Sequence, residues 1–269
     1  MPRVPIDDLD DPRIASYRHL KATNLTRGGD TFVVEGEKLL NRLIESPFPL
    51  VSVLMTDRHE PRIAARVPEE VPRFVVPRAL ISLLVGFNFH RGVLASGRRR
   101  PWPHLADLVH AAGREAMVVI CPALHNPENL GTIVRIGDVF GVDAVVVGAR
   151  GCPDPLSRRV LRVSMGAALR LPVIDSVDLV GDVERLRSEW GFQLAATVVD
   201  PDAEPLDAVR RPDRLALLLG SEGDGLGPDW VARCDRRITI PMRPGAESLN
   251  VAVAAGIVLY HLTTRRPRA

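Results

Sequence analysis

The chain has 269 residues, of which 46 % are hydrophobic and 25 % are charged, and its formal net charge is only +2. This composition is typical of a globular protein with one large or two ordinary domains, and it excludes wholesale disorder, collagen and coiled coils. The low aromatic content of 4 % also argues against a surface on which many bases stack.

The basic residues are unevenly distributed in type and in position. Only Lys21 and Lys38 are lysines, and the other 33 basic residues are arginines. A GC-rich genome explains this bias, and so does the fit of the planar guanidinium to phosphate. Residues 1–100 carry 16 Lys and Arg against 12 Asp and Glu, whereas the remainder carries 19 against 21. The first part is therefore a weak candidate for a nucleic-acid-facing domain.

Cysteines and targeting signals give only negative indications. Cys121, Cys152 and Cys234 are odd in number and far apart, so we expect small buried apolar residues in a reducing compartment, with no disulfide or metal site. The acidic segment Met1–Asp11 lacks the apolar core of a signal peptide, and no run of 18 apolar residues exists. We therefore expect a cytoplasmic protein that does not enter a membrane.

The first hundred residues predict a small α/β sandwich followed by a linker. Strands are predicted at Thr31–Val34, Leu50–Met55, Arg73–Val76 and Gly92–Ala95, with a helix at Glu35–Ile44. The stretch Ser96–Pro103 reads SGRRRPWP, and its prolines disfavour a helix before them. We therefore predict a first domain at residues 1–97, a linker at 98–112 and a second domain at 113–269.

The second part alternates strands and helices more clearly. Strands are predicted at Met117–Ile120, Ala144–Val147, Leu171–Ile174, Gln193–Val198, Leu215–Leu219 and Ile238–Ile240. Helices are predicted at Leu130–Phe140, Ser157–Ala168, Leu179–Trp190 and Leu249–Thr263. This alternation predicts an α/β fold with a mostly parallel sheet and helices on both faces. Ligands of such sheets bind beyond the carboxyl ends of the strands.

Three polar connections follow these strands. In the first, Asn126 and Asn129 suit a helix start, and Gly131 and Arg135 face one side of the helix, although a capped helix with a solvated arginine is favoured for this segment taken alone. The second, residues 220–227, holds four glycines in eight residues. It exposes backbone that can meet a nucleotide-like ligand, or it is a flexible surface loop.

The third connection, residues 241–250, leads into the last helix. Ser248 is a plausible N-cap, which would place Asn250 inside the helix with a free side-chain amide. Zinc-protease, nucleophile-elbow and P-loop motifs are absent from the sequence. Among the seven histidines only His125 lies beside one of the three connections, and a structural role for it is favoured.

The three connections resemble the motifs of the SpoU (TrmH-type) family of RNA ribose 2′-O-methyltransferases, part of the SPOUT superfamily. The matching segments are N-P-x-N-x-G with a following arginine at Asn126–Arg135, G-S-E-G-x-G at Gly220–Gly225, I-P-M at Ile240–Met242 and S-L-N-V-A-V-A at Ser248–Ala254. Residues 32–36 and 92–95 are similar to the family's L30e-like substrate-binding domain.

The resemblance implies a trefoil knot in the second domain, a homodimer with active sites at the subunit interface, an RNA substrate, and S-adenosylmethionine as the methyl donor. It assigns catalytic roles to Arg135, Asn126, Glu222, Ser248 and Asn250. It assigns donor binding to Thr197, Gly220, Ser221, Gly225, Ile240, Met242, Ser248 and Leu249. It implies no metal.

Two interpretations of Arg135 stay open. The family assigns it the removal of the ribose proton together with an RNA phosphate. Because guanidinium stays charged in proteins, Arg135 could instead anchor that phosphate and lower the pKa of the hydroxyl by its charge.

The substrate is also open. Ribosomal RNA is favoured by the L30e-like domain. Transfer RNA, a role in antibiotic resistance, a non-catalytic RNA-binding protein and an unrelated nucleotide-binding α/β enzyme are the alternatives.

Overall fold

The computed structural model describes residues 3–20, 29–87 and 89–264. Its strands are β1 (Arg3–Pro5), β2 (Thr31–Glu35), β3 (Leu50–Thr56), β4 (Arg73–Val76), β5 (Val93–Arg98), β6 (Ala116–Cys121), β7 (Ala144–Gly148), β8 (Val173–Ser176), β9 (Gln193–Thr197), β10 (Glu204–Pro205), β11 (Arg214–Leu218) and β12 (Arg236–Thr239). Its helices are α1 (Glu37–Ile44), α2 (Glu60–Ala64), α3 (Arg78–Val85), α4 (Leu105–Ala111), α5 (Pro127–Val139), α6 (Arg158–Val163), α7 (Leu179–Ser188), α8 (Pro228–Arg233) and α9 (Val251–Thr264).

The chain forms two compact units, and the first takes in an insertion from later in the sequence. Unit 1 comprises residues 1–101 and 156–170, and unit 2 comprises residues 102–155 and 171–269. Helix α6 packs against β2, and the Arg158 guanidinium donates to the buried carboxylate of Glu35 at 2.9 Å. An ion pair at a buried carboxylate is costly to break, so it ties residues 156–170 to unit 1 rather than to the second predicted domain.

Unit 1 is a five-stranded mixed sheet in the order β1-β4-β3-β5-β2. Strands β1, β4 and β3 run parallel, and β5 runs antiparallel to β3 and β2. Its core includes Tyr17, Leu54 and Phe74. The Tyr17 hydroxyl donates to the Ser52 carbonyl at 2.9 Å, which satisfies its polar group inside the core.

Unit 2 is a seven-stranded sheet in the order β10-β12-β9-β11-β6-β7-β8, and every pair of neighbours is parallel. Every residue of β6 and β7 is buried. Val118 and Ile120 pack into a cluster with α4 and α7, so the alternate residues Met117 and Val119 are covered on the other face. The predicted mostly parallel α/β fold is confirmed.

The predicted strands and helices are present with shifted ends, but several short elements were missed. Strands β1 and β10 have three and two residues, too few for a periodic signal. Helices α2, α3 and α4 were also missed. Helix α4 lies within the predicted linker, where Leu105 and Val109 are buried. The helix predicted at Ser157–Ala168 ends early, at Val163.

The three cysteines differ in burial. Cys121 and Cys152 are buried as predicted, whereas Cys234 is half-buried. Burial raises the pKa of the Cys121 thiol, which keeps it protonated.

Across residues 3–20, 29–87 and 89–264 no helix has the length and apolar content needed to span a membrane.

The end of β7 approaches the loop after β6 closely at Gly148. A Cβ at this position would lie 2.4 Å from the Pro122 carbonyl oxygen, and two stretches of backbone cannot separate without strain. We expect Gly148→Ala to lower the free energy of unfolding by about 1–3 kcal/mol, as measured by urea denaturation. The control is Gly223→Ala, where a Cβ would meet nothing within 4 Å. Equal stability of Gly148→Ala and wild type would contradict the expectation.

Candidate functional site

The carboxyl ends of four adjacent strands meet at one edge of the unit 2 sheet. The strands β12, β9, β11 and β6 are consecutive neighbours and all parallel. Since parallel strands end on the same side, the connections that follow them converge there. These are the three polar connections predicted from sequence and the loop after β9.

A cavity of about 770 Å³ is lined by the loop after β9 and by the connections after β11 and β12, and the connection after β6 does not contribute to its lining. This volume falls within the roughly 300–1,000 Å³ of pockets that hold small-molecule ligands. Its lining includes every residue that the resemblance assigns to the methyl donor, namely Thr197, Gly220, Ser221, Gly225, Ile240, Met242, Ser248 and Leu249. The Thr197 hydroxyl donates to the Leu218 carbonyl at 2.9 Å, so it joins β9 to β11 at the cavity floor.

Glycines let the connection after β11 fold back on itself. A Cβ at Gly220 would lie 2.3 Å from the Gly225 carbonyl carbon, so no larger residue fits at this position. Gly225 has a φ of +66°, in the region that favours glycine. The Ser221 amide donates to the Gly225 carbonyl at 2.9 Å, which closes the turn and points Glu222 towards the connection after β6.

The Glu222 carboxylate joins two of the connections. Its Oε1 accepts from the Asn126 amide at 3.0 Å and from the Asn129 side-chain amide at 2.9 Å, and its Oε2 accepts from the His125 amide at 3.1 Å. Burial by itself raises the pKa of Glu222, but the hydrogen bonds from His125, Asn129 and Asn126 outweigh it and lower the pKa to about 2. The group is therefore a fixed anion that holds the loop before α5.

Asn129 extends this network to the third connection. Its side chain is buried, and its Oδ1 accepts from the Asn250 side-chain amide at 3.1 Å. Asn129 thus donates a hydrogen bond to Glu222 through its side-chain amide and accepts one from Asn250 through its side-chain oxygen. It was not among the predicted site residues, and the signal that could have found it is its place in N-P-x-N-x-G, where a helix start turns it inward.

Asn250 corrects a sequence prediction. Its Oδ1 accepts from the amides of Ala252 at 2.9 Å and Val253 at 3.3 Å, so Asn250 and not Ser248 is the N-cap of α9. Its amide is not free, because it donates to Asn129. Ser248 is exposed and lines the cavity instead.

The remaining predicted residues lie on or beside α5. Asn126 is the N-cap, and its Oδ1 accepts from the Glu128 amide at 2.8 Å. Its side chain therefore orients the helix start. Arg135 is exposed on α5 and does not line the cavity. His125 contributes its backbone amide to Glu222, and its ring is exposed.

Comparison with known proteins places these features in a family. Residues 116–260 match the SpoU rRNA Methylase family. The chain is 36 % identical to an uncharacterized tRNA/rRNA methyltransferase of Mycobacterium bovis over 95 % of its length and 90 % of the relative. It is 28 % identical to the 23S rRNA (guanosine(2553)-2′-O)-methyltransferase RlmP of Bacillus subtilis, over 96 % and 98 % of the two chains.

A solved structure shares the fold over nearly the whole chain. The AdoMet-bound rRNA methyltransferase from Sinorhizobium meliloti superposes with a TM-score of 0.81 at 22 % identity, and the alignment covers 96 % of this chain and 97 % of the other.

The Glu222 network makes a prediction about pH and stability. All partners of this carboxylate are donors, so the amide of Glu222→Gln would set an N–H group against at least one of them. We expect the variant to unfold more easily at pH 7 by about 1 kcal/mol, as measured by urea denaturation.

The pH dependence of this difference provides the control. Because the pKa of Glu222 is lowered from 4.5 to about 2, its contribution is complete above pH 4.5 and is lost as the pH falls towards 2. The difference between wild type and variant should shrink over this range. A difference that stays constant from pH 7 to the acid end would contradict the prediction.

Proposed function

The chain belongs to the SpoU rRNA Methylase family, and on this premise we propose that it is an S-adenosylmethionine-dependent RNA 2′-O-ribose methyltransferase that acts on ribosomal RNA. The observation that carries the proposal is the Glu222–Asn129–Asn250 network, which joins the three polar connections and reaches the cavity through Glu222. The named 2′-O-methyltransferase relatives act on guanosines of 23S ribosomal RNA, so a guanosine is the first target to examine.

The cavity suits S-adenosylmethionine in shape and in charge. Its walls combine bare glycine backbone with the apolar side chains of Val231, Ile240 and Leu249, which fit a planar base. Four acidic residues and one basic residue line it, namely Asp200, Glu222, Asp224, Glu247 and Arg237. This excess of negative charge favours a ligand with a net positive charge. When bound, the donor supplies a methyl group on a positively charged sulfur.

The chain's own residues align the reactants and bind the RNA. Alignment of two reactants can contribute about 7–11 kcal/mol to lowering a barrier, and the Glu222 network fixes the three connections that would do this. Arg135 is exposed and makes no hydrogen bond or ion pair with the described residues, so its guanidinium is available to an RNA phosphate. We assign it the anchoring role, in which its charge also favours the ionised 2′-oxygen. Ser248 borders the cavity where the nucleotide would lie.

We also propose a homodimer in which Arg135 completes the site of the partner protomer. Within one chain Arg135 does not line the cavity. An apolar groove between α5 and α9 is lined by Ile136, Phe140, Val253, Ile257 and Tyr260. Val253 is 52 % exposed and Tyr260 is 60 % exposed. A second copy would bury such a patch and would bring two α5 helices together.

Three finer features follow from the family and complete the proposal. The segment 240–250 passes through a trefoil knot, and residues 1–97 form an L30e-like domain that binds RNA. A ribosomal RNA substrate implies a cytoplasmic enzyme. The Asn126 cap and the Asn250 cap at the starts of α5 and α9 support an active enzyme over a non-catalytic relative, because both residues belong to the hydrogen-bonded network of Glu222, which lines the cavity.

Loss of a specific methyl group tests the function. In a strain that lacks the gene, mass spectrometry of ribosomal and transfer RNA should show one unmethylated ribose in ribosomal RNA, restored by the wild-type gene. A transfer RNA site lost instead would support that alternative. No lost site, together with no donor binding in calorimetry, would refute the enzyme assignment.

Arg135→Ala should abolish turnover and leave donor affinity unchanged, because Arg135 lies outside the donor cavity. Methyl transfer from labelled donor to ribosomal RNA measures the first, and calorimetry with S-adenosylmethionine measures the second. Arg114→Ala is the control, since Arg114 is 89 % exposed and lies before β6, at the opposite edge of the sheet. Near-normal turnover of Arg135→Ala would refute its role.

Tyr260→Asp should convert the dimer to a monomer, because it places a charge in the groove between α5 and α9. Light scattering coupled to size-exclusion chromatography measures the mass, and activity should fall with it. Val177→Asp is the matched control, since Val177 is 93 % exposed outside this groove. A dimer that survives Tyr260→Asp would show that the interface lies elsewhere.

A further inference from the structure

Unit 1 contains a small cationic pocket at the start of α1, outside the candidate active site. Its volume is about 200 Å³, and its lining includes Lys38, Arg91, Arg162 and Met165. Arg162 comes from the inserted segment 156–170, so the pocket forms only because this segment packs in unit 1. We propose that this pocket binds a backbone phosphate of the RNA substrate, an inference that rests on the proposed function.

Two of the pocket cations have no protein partner. Lys38 is exposed and Arg162 is half-buried, and neither has a hydrogen bond or an ion pair among the described residues. The acidic neighbours are already neutralised. Glu35 pairs with Arg158 at 2.9 Å and with Arg91 at 3.5 Å, and Glu37 pairs with Arg62. The positive charge of Lys38 and Arg162 is therefore uncompensated, which favours an anion.

The backbone around the pocket is shaped to leave this space open. Gly36 has a φ of +93°, and a Cβ there would lie 3.2 Å from Arg91 Cδ, so glycine lets the arginine side chain cross the start of α1. No side chain of the described residues caps α1, and its first-turn amides add to the positive potential. Met165 has a φ of 53°, a conformation that non-glycine residues rarely adopt and that is concentrated at functional sites.

The size of the pocket distinguishes among phosphate ligands. About 200 Å³ is below the roughly 300–1,000 Å³ of pockets that enclose a whole small molecule, so a phosphate group fits but a complete nucleotide does not. Arg42 follows Lys38 by one helical turn, is exposed, and has no partner among the described residues. Side chains four residues apart lie on one helix face, so the cationic surface continues along α1. Such an extended surface suits RNA, whose backbone carries successive phosphates.

The test is the double variant Lys38→Gln/Arg162→Gln, with filter binding of 23S ribosomal RNA transcribed in vitro over a series of KCl concentrations. We expect the dissociation constant to rise about tenfold, and the slope of log affinity against log salt to fall by about 1–2. In methyl-transfer assays KM for RNA should rise while kcat and the affinity for S-adenosylmethionine stay unchanged.

The matched control is Arg58→Gln/Arg78→Gln. Both arginines are exposed in unit 1, lie outside the pocket, and have no side-chain partner among the described residues. The inference is overturned if the control pair weakens RNA binding as much as the pocket pair, or if the pocket pair binds RNA like wild type. Urea denaturation should show equal stability for the three proteins.

Two further results separate the alternatives. Titration with inorganic phosphate should give no saturation in the micromolar range, and tight phosphate binding that leaves RNA affinity unchanged would overturn the assignment to RNA. Failure of the proposed function looks different, because wild type would then neither bind S-adenosylmethionine nor methylate RNA. The pocket inference fails alone when wild type methylates RNA and the pocket pair keeps its KM.

Discussion

One carboxylate holds the candidate site together. Glu222 accepts hydrogen bonds from the amides of His125 and Asn126 and from the side chain of Asn129. The side-chain oxygen of Asn129 in turn accepts a hydrogen bond from Asn250. A carboxylate with three hydrogen-bond donors stays ionised near neutral pH, so the order of the loops it joins does not change with pH in that range. Each loop follows a different strand of the sheet. The site is therefore ordered by polar contacts laid over an apolar sheet.

The sheet explains why these loops meet at all. Four parallel strands end side by side, and the residues of β6 are buried along their whole length. A continuous apolar strand fixes its position by burial on both faces, which leaves the residue after it in a defined place. The glycine at 220 and the caps at Asn126 and Asn250 then turn the chain within a few residues. The positions of the loops at the cavity thus depend on the buried apolar strands that precede them.

The sequence predicted the strands of unit 2 well because long apolar runs and alternation are strong local signals. Its motifs also assigned a set of residues to methyl-donor binding, and these residues do line one cavity. It misassigned the N-cap of α9, because Ser248 and Asn250 are both good caps and only the bonds from the Ala252 and Val253 amides to Asn250 Oδ1 decide between them. It also missed that residues 156–170 pack in unit 1. A buried ion pair such as Glu35–Arg158 joins positions far apart in the chain, and local patterns carry no information on such pairs.

The inserted segment has a consequence for how the chain is made. The polypeptide passes between the two units three times, after residues 101, 155 and 170. Unit 1 therefore lacks a part of its structure until residue 170 has left the ribosome, long after its last strand has been synthesised. Domains usually fold one after another from the amino terminus during synthesis. Here the Glu35 carboxylate must wait for Arg158, so unit 1 is completed only after the first part of unit 2 has been synthesised, and a gene truncated at the apparent boundary would encode neither unit in full.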